Sequence, residues 1–392
     1  MSALQPRAVV LGSSPTGLYA VRELAAAGFE VQLADLDRGC AFASRHLSGR
    51  GFVGPRNEAF AWALQAAASA PAGAVLVPTN DAFIEALCAG GDRLPPAVSA
   101  FAAYAGVAPV LLDKQRFHDL CLRHGVATPR IWRVEGREAL AALAGALPFP
   151  CILKPLLIHR AKQYLNGQKV LLVENRAGFE RVLAGLPGDV GGWLVQEIIP
   201  GPESELTLVG AAIGADGREL QRFSGRKLRQ YPAGFGSASL VSAARCPESE
   251  RIAFEFLAAI GFRGLCGVEF KRDPRDGALK MIEINPRPTL WFQITHDAGQ
   301  RLLAAACLDL LGRPLPAPAP QAEDTRWRYA IKDFASSRFY RRHPHSLPFP
   351  PPDIRAAAGL RRRSWPVFDV RDPLPALAEP LGYLRKAWSR RR

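Results

Sequence analysis

The stretch GVEFKRDPRDGALKMIEINPRP, residues 267–288, decides how the chain folds. Two runs rich in apolar residues, GLCGVEFKRD and ALKMIEINPRP, stand on either side of a short turn, DPRDG. Strands joined so closely pair antiparallel, which sets Glu269 and Glu283 side by side. Asn285 follows Glu283 by two residues and shares its face, and Arg287 continues the same phase. Two carboxylates and an amide oxygen make a hard oxygen cluster, suited to Mg²⁺ shared with substrate phosphates and poorly suited to zinc. For glutamates on isolated strands the plainer reading is a cross-strand salt bridge with Lys271 or Lys280. The in-phase Asn285 and Arg287 favour the metal, and Arg287 is placed to stabilise transferring phosphoryl charge.

Upstream, FPCILKP (Phe149–Pro155) reads as a buried strand that ends in Lys154, with Pro155 fixing the exit. A lysine there can hold a phosphate as a point charge. GGWLVQEIIPG (Gly191–Gly201) joins two sheet segments. Its extended hinge, Gln196–Ile199, offers a backbone N–H and C=O pair to an adenine edge, and PGPESE adds carboxylates for ribose hydroxyls. SELTLVGAAIG and ELQRFSGRKLRQ read as antiparallel strands. DKQRFHDLCLRHGV (Asp113–Val126) is a helix capped by Asp113 and stopped by Gly125, and further helices are expected near 248–261 and 295–311. Strands and helices in this order make an α+β domain.

Residues before about 105 read differently. Ala8–Leu11 is a short apolar strand, GSSPTG (Gly12–Gly17) a turn, LYAVRELAAAG a helix, and FEVQLAD a second strand ending at Asp35. AVLVPTND (Ala74–Asp81) is another buried strand with its polar turn at the carboxyl end, where open α/β sheets place ligands. GSSPTG is not GxGxxG and makes a weak nicotinamide site. Its small residues leave room for an anionic group at the helix N-terminus.

The chain has 392 residues, enough for two or three domains, with a hydrophobic fraction of 48% and a charged fraction of 22%. That composition excludes a wholly disordered or collagen-like chain. Seven scattered cysteines without a CxxC pair argue for reduced thiols rather than a disulfide framework or zinc site. No apolar run is long enough for a membrane span, and the N-terminal apolar stretch is too short for a signal peptide. A cytoplasmic body is expected. The net charge is +14, but Arg326–Arg392 carries sixteen Lys/Arg against five Asp/Glu, or +11, leaving +3 for the first 325 residues. A nearly neutral body with a basic tail is therefore expected, and no specific nucleic-acid site. The tail's tryptophans and arginines suit either packing on the body or peripheral contact with an anionic membrane surface.

The series DK (Asp113, Lys114), ILKP, VQEIIPG, GVEFKRD and IEINPRP, taken in order, resembles the ATP-grasp superfamily, and most of all the D-aspartate ligase type of carboxylate–amine ligase. The resemblance spans roughly 110–312, with a matching small domain before it. It implies a doubly wound pre-ATP-grasp α/β domain (1–105) and a two-lobed α+β ATP-grasp domain (106–312, lobes about 106–195 and 196–312). A Pro/Ala linker (313–325) and a basic C-terminal extension (326–392) follow.

Carried over by position, the resemblance places Lys114 and Lys154 on ATP phosphates. Gln196, Glu197 and Ile199 would hold adenine, and Glu203 the ribose, with Glu205 as the alternative. Glu269, Glu283 and Asn285 would hold Mg²⁺ (or Mn²⁺), Arg287 would face an acyl phosphate, and Lys227 would lie near the γ-phosphate. The substrates implied are a small carboxylate and an amine (or thiol). One departure is the phosphate-covering stretch, LLIHRAKQYLNGQK (Leu156–Lys169), which has a single glycine and carries His159, Arg160 and Lys162. The competing functions are an ATP-grasp kinase that leaves phosphate on its product, and a nucleotide-binding protein docked through its tail.

Overall fold

The computed structural model describes residues 4–49, 51–90, 94–156, 171–186 and 191–389, with 383–389 as backbone. The strands in chain order are β1 (Arg7–Leu11), β2 (Glu30–Asp35), β3 (Phe52–Val53), β4 (Ala74–Pro78), β5 (Val98–Ser99), β6 (Ile131–Glu135), β7 (Cys151–Pro155) and β8 (Leu171–Val173). They continue with β9 (Gly192–Glu197), β10 (Leu206–Ile213), β11 (Glu219–Tyr231), β12 (Ser237–Ala243), β13 (Gly264–Arg272), β14 (Leu279–Asn285), β15 (Thr325–Arg328) and β16 (Arg362–Ser364).

The first five form a parallel sheet in the order β3-β2-β1-β4-β5. Apart from Arg7 at the start of β1, its central strands β1 and β4 are apolar and buried, as a sheet covered on both faces requires. The β1 turn holds the helix Pro15–Ala26 tightly against the strand: a Cβ on Gly17 would lie 1.9 Å from the Gly12 carbonyl oxygen. Ser13 N–H and Oγ both donate to Asp35 Oδ2 at 2.6 Å. The end of β2 thus already supplies a carboxylate to this turn.

A four-stranded antiparallel sheet, β6-β9-β7-β8, has its own core around Phe179, Trp193 and Val195. A seven-stranded sheet, β14-β13-β10-β11-β12-β15-β16, forms the floor of the molecule's second half. One of its faces joins the core of the parallel sheet through Phe223, Trp291 and Trp327. Its other face packs on Phe117, Cys121, Phe256 and Phe262. The helix Lys114–Arg123, capped by Asp113 Oδ1 accepting from Arg116 N–H at 3.0 Å, therefore shares the core of this large sheet. The expected lobe boundary near 195 shifts accordingly, because β9 runs through Glu197 in the small sheet.

The expected linker and separate basic extension are corrected by the structure. Residues after 312 lie along the body: Ala322 N–H donates to the Ala298 carbonyl, and the Gln321 amide exchanges two hydrogen bonds with the Ser224 backbone. β15 then pairs antiparallel with β12, and β16 parallel with β15. The reason is local alternation. Thr325 and Trp327 turn into the core while Arg326 and Arg328 lie half-buried. Buried ion pairs reinforce the dock: Asp333 with Arg229 at 2.7 Å, and Asp372 with Arg22 of the first domain at 3.0 Å. All seven cysteines are free thiols.

Candidate active site

The small and large sheets face each other across a cleft of about 270 Å³. Ile152, Lys154, Leu194 and Gln196 line it from the small sheet, and Leu206, Lys227, Glu269, Lys271, Ile282 and Glu283 from the large one. Lys114 reaches it from the first turn of its helix, and Glu197, Ile198 and Ile199 form the connection at one side.

Glu269 and Glu283 are direct cross-strand partners on β13 and β14. Asn285 Nδ2 donates to Glu283 Oε1 at 2.8 Å, which leaves the amide oxygen to the opposite side of that group. Lys227, from β11, donates Nζ–H to Glu269 Oε2 at 2.7 Å, with both groups buried. Burial pushes the Glu269 carboxyl up, Lys227 pulls it down and Glu283 pushes it up again, so that it stands above the usual carboxylate range. Two facing carboxylates with one ammonium are an electrostatically strained set, and a divalent cation would relieve it. Among the described residues no group of three or more His, Cys, Asp or Glu gathers as a metal site, here or elsewhere. The oxygen donors present fit Mg²⁺ completed by phosphate oxygens.

The hinge is held more firmly than the sequence reveals. Glu197 accepts from Arg130 N–H at 3.0 Å and from Arg275 Nη2 at 2.7 Å. Burial pushes its carboxyl up, but the Arg130 N–H and the Arg130 and Arg275 guanidiniums outweigh this and hold it below the usual range. Its side chain is thus committed to arginines, and its own N–H donates to the Arg130 carbonyl at 2.9 Å. Lys271 was read only as a possible salt-bridge partner, yet it reaches under the hinge. Its Nζ donates to the carbonyls of Ile199 at 2.9 Å and Gly201 at 2.7 Å. Burial lowers its pKa to about 8. It lies two residues beyond Glu269, so the same alternation that grouped Glu283 with Asn285 places it on the cleft face.

Glu203 requires a correction. It is 1% exposed and does not line the cleft. Its carboxylate accepts from Gln230 N–H at 2.8 Å, from Gly234 N–H, and from Tyr340 Oη–H at 2.7 Å. It is a structural anchor for the turn 230–236, and burial raises its pKa. The cause is the single 3-10 turn Glu203–Glu205, which rotates Glu203 inward and leaves the Glu205 side chain exposed beside a separate surface depression. Neither glutamate reaches the cleft.

Arg287 also stands apart from the cleft lining. Its Nε donates to Asp81 Oδ1 at 2.7 Å, linking the end of β14 to the carboxyl edge of the parallel sheet. The stretch with His159, Arg160 and Lys162 lies outside the described residues.

Sequence reasoning missed a further part of the cleft wall. Gly234, Phe235 and Gly236 line the cleft together with Phe349 from the C-terminal segment. Phe349 packs edge-on to Phe235, with ring centroids 5.9 Å apart, and sits 5.1 Å from Lys271 Nζ. No local pattern marks Phe349, because its partners Phe235 and Lys271 lie far earlier in the chain.

No family model matches the chain. Over 188 residues it is 27% identical to the D-aspartate ligase of Enterococcus faecium, covering 45% of this chain and 44% of that protein. Over 241 residues it is 28% identical to the formate-dependent phosphoribosylglycinamide formyltransferase of Anaeromyxobacter dehalogenans, covering 59% and 56%. The chain thus spans about half the length of the curated relatives it matches. In fold it is similar to an N5-carboxyaminoimidazole ribonucleotide synthetase solved as an ADP complex, with TM-score 0.62 and 13% identity over 80% of each chain. The Staphylococcus aureus enzyme of that name gives TM-score 0.62 and 14% identity over 81% of this chain and 80% of its own. In sequence relatives and in fold, the chain is similar to the carboxylate–amine ligases of the ATP-grasp superfamily, as its motifs imply.

Proposed function

We propose that the chain is an ATP-dependent ligase that joins a carboxylate to an amine through an acyl phosphate, releasing ADP and phosphate. The observation that carries this reading is the cleft itself. It collects Lys114, Lys154 and Lys227 with the facing pair Glu269 and Glu283, between two sheets and beside an apolar hinge. Three ammonium groups around two carboxylates suit a nucleotide polyphosphate better than any neutral ligand.

In this reading Ile152, Leu194, Leu206, Ile282 and Phe349 enclose the base, and the backbone at Gln196–Ile199 meets its edge. Lys114 and Lys154 hold phosphate oxygens, and Lys227, already on Glu269, meets the γ-phosphate. Glu269, Glu283 and Asn285 would hold Mg²⁺, which when bound neutralises charge on phosphate oxygens. A substrate carboxylate oxygen attacks the γ-phosphorus in line and ADP leaves. The amine nitrogen then attacks the acyl carbon, the C–O bond to phosphate breaks, and the amine proton passes to solvent or base. No side chain acts as nucleophile. Arg287, fixed by Asp81 at the ligand edge of the parallel sheet, is the group proposed to face the acyl phosphate.

The test is oxygen-18 transfer. With the carboxylate labelled, label should appear in inorganic phosphate, and hydroxylamine should trap a hydroxamate when the amine is withheld. Label in AMP with pyrophosphate release would overturn the proposal in favour of adenylation. A stable phosphorylated product would convert it to a kinase.

A further inference from the structure

The burial of Glu203 leaves a span of the cleft without its expected carboxylate. A nucleotide held there places its sugar between the base at the hinge and the phosphates at Glu269, and neither Glu203 nor Glu205 lines that span. Two other side chains do. On β13 the next cleft-facing residue after Glu269 is Lys271, two positions on toward the hinge and so about 7 Å along the strand. Leu206 and Lys227 stand in register with it across the floor. On β11, Lys227 and Gln230 both line the cleft although they are three apart, a spacing that a regular strand sends to opposite faces. The broken register of β11 with β12 on either side of Arg229 makes this possible.

Both groups are buried, held from behind and left with one bond to make. Lys271 is 8% exposed. Its ammonium spends two of its three N–H groups on the Ile199 and Gly201 carbonyls, and the Phe349 ring closes another side at 5.1 Å. Gln230 is 5% exposed. Its backbone N–H donates to Glu203 Oε2 and its Nε2 to the Gly234 carbonyl at 3.0 Å, which fixes the amide. Among the described residues nothing donates to its Oε1, and a buried acceptor without a donor is costly. The pair thus offers the cleft one donor and one acceptor. Two vicinal hydroxyls match it, one accepting from Lys271 and the other donating to Gln230 Oε1.

We propose that Lys271 and Gln230 read the ribose 2′ and 3′ hydroxyls of the nucleotide, so that selection of a ribonucleotide rests on an amine and an amide rather than on Glu203 or Glu205. The inference rests on the nucleotide reading of the cleft and adds the groups that the sugar meets. The test is equilibrium binding by isothermal titration calorimetry, on the full chain with Mg²⁺, with ATP, 2′-deoxy-ATP and 3′-deoxy-ATP as probes. Wild type should bind ATP about tenfold more tightly than either deoxy analogue. Lys271→Met and Gln230→Met should each abolish the preference over one analogue and keep it over the other, the two variants differing in which. Loss of affinity for all three nucleotides by the same factor in both variants would overturn the proposal, leaving Lys271 a staple of the hinge and Gln230 a brace of the turn. Equal wild-type affinity for ATP and both analogues would overturn it without any variant having to fold, and would leave the nucleotide reading standing. Binding of none of the three by wild type would overturn the nucleotide reading and this inference together.

Discussion

Replacing Asp333 by asparagine tests whether the C-terminal segment is part of the catalytic body. Asp333 Oδ1 accepts from Arg229 Nη1 at 2.7 Å, and Oδ2 from Arg328 Nε at 2.6 Å. The Arg229 and Asp333 side chains are only 8% and 3% exposed, whereas Arg328 is 41% exposed. Asn keeps the shape and removes the charge, so Arg229 is left buried without an anion. Breaking one side of such a pair costs about 3–5 kcal/mol. Arg328 reaches solvent and adds little. At about 2 °C per kcal/mol, the low end for large units, the melting temperature should fall by roughly 6–10 °C.

A second effect should accompany it. Arg229 adjoins Gln230, whose N–H is held by Glu203 and whose carbonyl accepts from Ser336 Oγ–H. Loosening this strand end displaces the turn that walls the cleft, so the KM for ATP should rise. The assay is thermal unfolding by circular dichroism, paired with phosphate release at varied ATP. The double variant Arg229→Met, Asp333→Leu removes both charges and should recover much of the loss. A single variant that melts within about 1 °C of wild type would refute the reasoning and return the segment to the status of an appendage.

Glu283→Gln and Glu269→Gln should each abolish turnover, and Glu269→Gln should also lower the melting temperature because it leaves buried Lys227 without its partner; near-normal activity of both at limiting Mg²⁺ would remove them from the metal site. Phe349→Ala should raise the KM for ATP about tenfold for each 1.4 kcal/mol of lost contact, and an unchanged KM would show that the base lies elsewhere. Glu250 is held down to about 2 against the lift of burial by Arg245, Ser224 and Arg222, below its ordinary 4.5. Its folded pKa is depressed, so its stabilisation is present above about pH 4.5 and is lost as pH falls through about 2. Glu250→Gln should therefore cost about 1–2 kcal/mol at pH 7, allowing for its half-exposed partner Arg245, and the gap should close in acid. A gap that persists unchanged at pH 2 would refute the assignment.

The sequence was most informative where strands are long and the turn between them short. Glu269, Glu283 and Asn285 could be grouped because side-chain alternation on β13 and β14 leaves little freedom, and the observed register pairs Glu269 with Glu283 directly. The same alternation carries Lys271, which was legible and overlooked. Glu203 failed for the opposite reason, since a 3-10 turn has no period that assigns a face. The C-terminal segment was obscured by composition. Proline and arginine dominate it, while its two strands have only four and three residues and are defined by pairing with β12 and each other. Phe349 and Tyr340 reach the cleft and its supporting turn through tertiary contacts, which leave no local signature.

The position of β15 also bears on the order in which the protein matures. β12 presents its outer edge to a strand that lies beyond a long intervening stretch of chain. On the ribosome, that edge stays open, with unpaired backbone groups, until the segment around Trp327 has emerged. Phe349 and Tyr340, which complete and brace the cleft, emerge later still. The nascent chain therefore has β13 and β14 before it has a closed cleft. A chain released before that point would carry Glu269 and Glu283 on a sheet with an exposed edge, a form suited to capture by chaperones and proteases.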